Sequence, residues 1–281
     1  MTAALVLKFG GELLEDPSRM AAVVAAVSDL AGAAGRTPLI PLTIVHGGGK
    51  EIDAALEAAG IDKRQVDGLR ITDPATLDIV VAVLAGAVNT RFVAALGAAG
   101  VSAVGLTGAD GRCGLSDVAP PHRTVGGQTV DLGRVGIPAE EADMHLLSGL
   151  LRDGFVPVVA SIGVDRDGRL LNVNADTMAG HLAARLGARR LVIAGSTPGV
   201  LDDSGATVAV LDPAAIARLV SGGTATAGMI AKLRACEHAL RNGVDEVVIV
   251  DGRDRDALCA AASGAIPASA TRVAATVGIR S

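Results

Sequence analysis

The sequence predicts an α/β protein: a three-layer αβα sandwich on a mostly parallel central sheet. Three observations predict it. Short apolar runs of strand length alternate with amphipathic segments of helical period along most of the 281 residues. Several runs, such as 156–160 and 191–194, are apolar throughout, as strands buried on both faces must be. The runs Gly10-Gly11 and Gly47-Gly48-Gly49 each fall between a strand and a helix, as the turn of a βαβ unit does.

Taken in order, residues 5–7 read as the first strand, and Asp16-Pro17 supplies an N-cap and first-turn proline for a helix. Met20, Val23, Val24, Val27 and Leu30 recur there at helical spacing. A strand at 42–45 runs into the three glycines. The helix beyond them carries Ile52, Ala55, Leu56 and Ala59 on one face and stops before Gly60. Asp73-Pro74 and Asp212-Pro213 open further helices in the same way, and 101–106, 156–160, 191–194 and 246–250 read as buried strands. Residues 92–109 lack charge and pass a crude membrane filter. Gly97, Gly100, Gly105 and Gly108 punctuate that stretch at loop spacing, so a helix end, a turn and a strand explain it better.

Two segments break the alternation. Residues 112–136 are polar and turn-rich, with Gly126-Gly127 at the tip of an expected hairpin that projects as a flap. Asp167-Gly168 marks a turn between two short strands that lead to Asn172-Val-Asn174-Ala-Asp176. A single domain spans 1–281, with an N-terminal lobe at 1–178 and a C-terminal lobe at 179–281 sharing one sheet.

Composition excludes several functions. A net charge of −5, with no basic run, no Trp or Tyr and three Phe, leaves no stacking platform for nucleic acid. Three well-separated cysteines, Cys113, Cys236 and Cys259, form no CxxC motif and suit a reducing cytoplasm. The N-terminus enters an apolar strand without a basic leader, and no membrane segment is expected.

Of 25 basic residues only Lys8, Lys50, Lys63 and Lys232 are lysines. A chain that otherwise uses arginine should keep lysine where a compact ammonium is needed. Lys8 ends an apolar strand and Lys232 follows Gly228-Met229, so both are candidates for chemistry on phosphate; Lys50 and other isolated lysines read as solvated. Gly10, Gly11, Gly47, Gly48 and Gly49 place bare N–H groups at the C-terminal edge of the sheet, where helix N-termini favour anions. Neither run matches the P-loop or the dinucleotide fingerprint. Asp176 could cap a helix. His46 could be core, and is assigned no proton transfer.

Lys8 with Gly10-Gly11, His46 with three glycines, Gly-Leu-Arg70-Ile-Thr-Asp, Thr-Gly-Ala-Asp110-Gly, Asn172-Val-Asn174-Ala-Asp176 and Gly228-Met229-Ile-Ala-Lys232 occur in one order. This set resembles the amino acid kinase family, over nearly the whole chain, and within it the members that phosphorylate the side-chain carboxylate of N-acetyl-L-glutamate in arginine biosynthesis. The resemblance implies that Lys8 stabilises the phosphoryl oxygens, that Lys232 serves the nucleotide side, and that Asp176 holds both ammonium groups. It implies Arg70, Asn172 and Asn174, with Gly47 and Gly48, as substrate ligands, Arg70 clamping the α-carboxylate. Gly10, Gly11 and Gly49, with Ser196, Thr197, Gly199, Gly228 and Met229, would hold ATP. Mg²⁺ would enter with the nucleotide, without a protein metal cluster.

Relatives usually carry Thr-Asp-Val-x-Gly-Val where this chain has Gly195-Ser196-Thr197-Pro198-Gly199-Val200, without the Asp. Lys8 stands almost at the start and the tail reads Ser269-Ala-Thr-Arg-Val273, which implies an arginine-insensitive homodimer paired through the N-terminal lobe. The competing expectations are a carrier-linked aminoadipate kinase, with Arg112, Arg123 and Arg134 facing the carrier, and a non-catalytic amino-acid-binding regulator. A uridylate kinase fits less well, because Arg70 with Asn172 suits a small carboxylate.

Overall fold

The computed structural model describes residues 4–32, 40–124, 126–221 and 227–274. Eight strands form the central sheet: β1 (Leu5–Phe9), β2 (Leu42–His46), β3 (Ala103–Thr107), β4 (Val156–Ala160), β5 (Arg190–Gly195), β6 (Val210–Leu211), β7 (Glu246–Asp251) and β8 (Thr271–Val273). Their order is β6-β8-β7-β5-β1-β2-β4-β3, and every pairing is parallel except β7 with β8. The first four strands therefore fill one half of the sheet and the last four the other, meeting where β1 pairs with β5. The expected boundary near residue 178 falls inside a helix, α5 (Ala175–Arg185, introduced below), while the sheet runs on unbroken.

Helices α1 (Pro17–Leu30), α2 (Gly49–Ala58), α3 (Pro74–Ala98), α4 (His145–Arg152), α5, α6 (Pro213–Ser221), α7 (Ala227–Arg241) and α8 (Arg255–Ser263) surround the sheet. Strand β1 shows how sequence sorts the two faces. Leu5, Leu7 and Phe9 point into one core with residues of α1, α3 and α8, whereas Val6 points into the other with α4, α5, α6 and α7. Side chains two apart share a face of a strand. Lys8 therefore leaves β1 on the Val6 side, toward α5, at the strand's C-terminal end. Phe9 and Phe92 meet edge to face with ring centroids 6.0 Å apart, closing the opposite core behind it. Each such fully buried side chain contributes about 1.5–3 kcal/mol.

The helix starts follow the sequence. Asp16 accepts from the Ser18 and Arg19 amides, Asp73 from Thr76 and Asp212 from Ala215. Helix α3 is long and apolar enough to cross a membrane by composition, with mean hydropathy 2.0 over its most apolar stretch, 39% of which is buried. Leu84, Val88, Phe92 and Leu96 pack it along the sheet, as in a core helix. Over Ala82–Val88 the helix widens into π-helical turns, a local form that recurs at functional sites. The charge-free run 92–109 resolves into the end of α3, a turn and β3.

A second sheet stands at the C-terminal edge of the first, in the order Ile162–Val164, Leu170–Val173, Val135–Pro138, Ser116–Val118. Gly168, at φ 84°, makes the turn between the first two of these strands. The expected flap is the hairpin His122–Arg123 with Thr129–Val130, and its flanks join this second sheet instead of projecting with it.

Candidate active site

At the C-terminal edge of β1 and β2 opens a cleft of about 250 Å³, lined by both glycine loops, Lys8, Arg70, Asn172, Asn174 and Asp176 among others. Lys8 reaches Asp176 with Nζ 2.8 Å from Oδ1, and each side chain is only 10% exposed. Two ions out of water are tolerated when they neutralise each other at contact distance. Asp176 is not the cap of its helix. Asn174 takes that place, its Oδ1 accepting from the Asp176 and Thr177 amides at 2.9 and 3.1 Å, which leaves the Asp176 carboxylate for Lys8. The carbonyl oxygen of Asn174, expected as a substrate ligand, is thus committed to the helix end.

The two glycine loops touch backbone to backbone. A Cβ on Gly11 would lie 2.6 Å from Gly48 Cα, and one on Gly48 would lie 2.8 Å from Leu84 Cδ2 at the wide turns of α3. Any side chain at Gly11 would prise the loops apart. Gly48 precedes α2, whose first amides have no intrahelical partner, so bare N–H groups and the helix dipole face the cleft.

Arg70 is held by a two-residue hairpin. Gln65–Val66 pairs with Leu69–Arg70 across Asp67-Gly68, both at positive φ (45° and 75°), a turn in which glycine carries no steric cost. The guanidinium, 8% exposed, gives Nη2 to Asp53 at 2.5 Å and to the Gly49 carbonyl at 3.3 Å. Its Nη1 is buried with no partner. Burial works against the Asp53 charge, but hydrogen bonds from Lys63 and Arg70 outweigh it and hold the carboxyl below the usual range. Asn172 lines the cleft with Nδ2 on Thr72 Oγ1 at 3.1 Å, and Thr72 in turn donates to the Arg70 carbonyl. Thr72 is thus a brace between the hairpin and the second sheet.

Lys232 lies on the first turns of α7, outside the lining of this cleft. A Cβ on Gly195 would sit 3.6 Å from its Nζ and 3.4 Å from Glu12 Oε1, so both side chains converge on the end of β5. Helices α5 and α7 touch where Gly180 meets the Ala235 carbonyl, a contact that a Cβ would narrow to 2.9 Å. Lys232 and Asp176 both act on the Cys236 thiol, which lies on the same face of α7 one turn after Lys232. The expected grip of Asp176 on both lysines is not present, because among the described residues its ion pair is with Lys8 alone. The Lys232 ammonium lies instead at Gly195, the end of β5. Cys236, buried one turn on, has its thiol pushed up by burial first, then by Asp176, with Lys232 and Lys8 opposing.

Ser196, Thr197 and Gly199 form the loop after β5. Gly199 is required by packing, since a Cβ there would lie 2.5 Å from Thr271 Oγ1, which accepts from the Val200 amide. Gly228 and Met229 open α7, and neither borders the cleft. His46 is fully buried, with Asn89 Nδ2 3.0 Å from Nε2 and the Gly47 carbonyl 3.2 Å from Nδ1. Burial lowers its pKa to about 4, so it is neutral and outside proton transfer.

Sequence reading passed over Glu12, Gln65 and Ser161, which also line the cleft. The Glu12 signal was a charged residue directly after Gly10-Gly11. Gln65 carried none until its pairing with Arg70 was visible.

Residues 3–251 match the model of the amino acid kinase family. Curated relatives include the acetylglutamate kinases of Novosphingobium aromaticivorans, 41% identical over 257 residues (88% of this chain, 83% of the relative), and Oleidesulfovibrio alaskensis, 38% identical over 252 (89% and 83%). Among solved structures, N-acetylglutamate synthase from Neisseria gonorrhoeae, complexed with coenzyme A and N-acetyl-glutamate, superposes with TM-score 0.79 at 24% identity, covering 98% of this chain and 60% of that one. Carbamate kinase from Giardia lamblia bound to AMP-PNP gives 0.68 at 15%, covering 98% and 99%. These structural likenesses establish the fold.

Proposed function

The chain belongs to the amino acid kinase family, and from that premise we propose that it transfers the γ-phosphoryl group of ATP to the γ-carboxylate of N-acetyl-L-glutamate, in arginine biosynthesis. One observation carries this reading. The cleft has two cationic ends, a buried ammonium at Lys8 and a buried, unpartnered Nη1 on Arg70, which suits a small dicarboxylate. The single orphan nitrogen beside one already paired to Asp53 leaves Arg70 one edge for the α-carboxylate.

A γ-carboxyl group is ionised at neutral pH, so no general base is needed. Its oxygen attacks Pγ, the bond from Pγ to the β,γ-bridging oxygen breaks, and ADP leaves with that electron pair. Charge repulsion is the obstacle, and positioning with neutralisation is the remedy. Lys8 draws off charge on the attacked phosphoryl group, with Asp176 fixing it in place. Lys232, entering from the β5 side, serves the phosphates that depart. The bare amides around Gly10, Gly11, Gly48 and Gly49 complete an anion cradle. Among the described residues no group of three or more His, Cys, Asp or Glu could hold a metal ion, and Glu12 and Asp176 are the carboxylates lining the cleft. Mg²⁺ would come with the nucleotide as MgATP and would screen the phosphate charge, with Glu12 and Asp176 the carboxylates able to face it.

We also read the two halves of the sheet as lobes, the N-terminal one for the acyl amino acid and the C-terminal one for the nucleotide. The uncovered side of α3 beside the edge strand β3 supports a homodimer through the N-terminal lobe.

ATP-dependent acyl phosphate, trapped with hydroxylamine, tests the reaction. N-acetyl-L-glutamate is compared with N-acetyl-aminoadipate and free L-glutamate, with Lys8→Arg as control. Activity on N-acetyl-L-glutamate that the variant loses is expected; no activity on any free substrate would withdraw the reading.

A further inference from the structure

We propose that Gln65 is the residue that recognises the acylamido group of the substrate, and so sets the preference for an N-acylated over a free amino acid. The proposal rests on the acylglutamate reading above.

Gln65 lies directly across from Arg70 in the hairpin. Two-residue hairpins alternate bonded and non-bonded pairs. The Ile71 amide donates to the Arg64 carbonyl at 3.0 Å, one step out, so Gln65 and Arg70 form a non-hydrogen-bonded pair. In such pairs the side chains lie on the same face and at closest approach, with Cβ atoms ~4.5–5.5 Å apart. Arg70 turns its guanidinium into the cleft, and Gln65 shares its lining at the mouth. Among the described residues nothing hydrogen-bonds the Gln65 carboxamide.

The chemistry follows from substrate connectivity. The α-carboxylate and the acylamido nitrogen hang from one carbon, so whatever grips the second group must stand beside whatever clamps the first. The N–H and C=O of a trans secondary amide point in opposite directions, so one primary carboxamide meets only one of them, and Gln65 Nε2 is the donor for the acyl carbonyl. A free α-ammonium has no carbonyl for Nε2 and would leave that donor unused. The neighbouring side chains cannot serve as well. Lys63 and Arg64 are engaged with Asp53 and Asp73, and the Asn172 amide nitrogen is on Thr72.

The test compares full-length wild type, Gln65→Leu and Gln65→Glu by hydroxylamine trapping on N-acetyl-L-glutamate and on L-glutamate at saturating MgATP. One hydrogen-bonded pair is worth roughly a 3- to 10-fold change. Gln65→Leu should raise KM for N-acetyl-L-glutamate by that factor, leave kcat within about twofold, and lower the kcat/KM ratio of acylated to free substrate equally. Gln65→Glu should lower the ratio further, because a carboxylate attracts the free ammonium and repels the acyl carbonyl. A residue that merely braces the hairpin would act through Arg70, which both substrates use, and would leave the ratio unchanged. That unchanged ratio, in variants with wild-type thermal unfolding, overturns the assignment while the acylglutamate reading stands. A wild type inactive on N-acetyl-L-glutamate removes the premise, and the assignment with it.

Discussion

Removing one member of the Lys8–Asp176 pair should damage the fold, whereas removing both should damage only catalysis. At 2.8 Å and an effective dielectric of about 20, the gross attraction is roughly 6 kcal/mol. Desolvation of two ions with 10% exposure cancels most of it, at several kcal/mol each. The net worth of the pair is then small, but a lone survivor keeps its desolvation cost without the attraction. Lys8→Met and Asp176→Leu should each lose about 3–5 kcal/mol of unfolding free energy, and the double variant should return to within ~1–2 kcal/mol of wild type. Urea unfolding at fixed protein concentration, with and without MgATP, reads this as a double-mutant cycle. All three variants should fall at least ~100-fold in kcat, the loss typical of one electrostatic donor. Additive single losses in the double variant would refute the reasoning, since they would mean that each side chain is stabilised by something other than its partner.

Arg70→Lys keeps the charge but loses the planar fork, so KM for N-acetyl-L-glutamate should rise about 10- to 100-fold with KM for ATP unmoved, as steady-state kinetics would show. Gly11→Ala forces a methyl against Gly48 Cα, and thermal unfolding should register a loss of about 1–3 kcal/mol together with a lower kcat. His46 and His181 both have pKa values lowered to about 4 by burial, so each must be neutral to fold. Their contribution is complete above pH ~6.5 and is lost as pH falls toward 4; urea titrations should show a slope there that His46→Asn with His181→Asn flattens. Ala94 is exposed on α3, and if the proposed homodimer pairs there, wild type should sediment as a dimer and Ala94→Glu as a monomer, with helix content by circular dichroism unchanged.

Period and punctuation were enough for the framework. The six expected strands of the main sheet all occur, because each is an unbroken apolar run with turn chemistry at its ends, and the three Asp-Pro starts became real caps. The missing main-sheet strands, Val210–Leu211 and Thr271–Val273, are too short to show a period. Of the residues read as a candidate site, Lys8 and the glycines at 10–11 and 47–49 line the cleft, because their backbone and charge demands are local, whereas Lys232, Gly199 and Gly228 lie outside it. The site was not legible where a side chain's duty depends on a distant neighbour. Asn174, and not Asp176, caps α5 because the helix starts at Ala175, and the Asp176 carboxylate goes to Lys8, which arrives from a strand 168 positions away in sequence. Gln65 is visible only once a turn at Asp67-Gly68 folds it against Arg70.

That dependence also bears on the nucleotide loop. The absent Asp would remove a hydrogen-bond acceptor, yet the loop after β5 is fixed by other means: Gly199 is packed on Thr271 and the Val200 amide is bonded to the same hydroxyl. Its backbone course therefore does not depend on the acidic side chain. If this loop holds the nucleotide as proposed, what changes is the charge offered to it, with the neutral Ser196 hydroxyl where a carboxylate would favour ribose donors. If backbone course governs phosphate placement, as the bare amides suggest, the loss should fall on affinity and not on turnover. Restoring the acid by Ser196→Asp should accordingly lower KM for ATP while kcat holds. A kcat that moved as much as KM would tie the loop to the transferring group and place the phosphates nearer β5 than the Gly11–Gly48 contact implies.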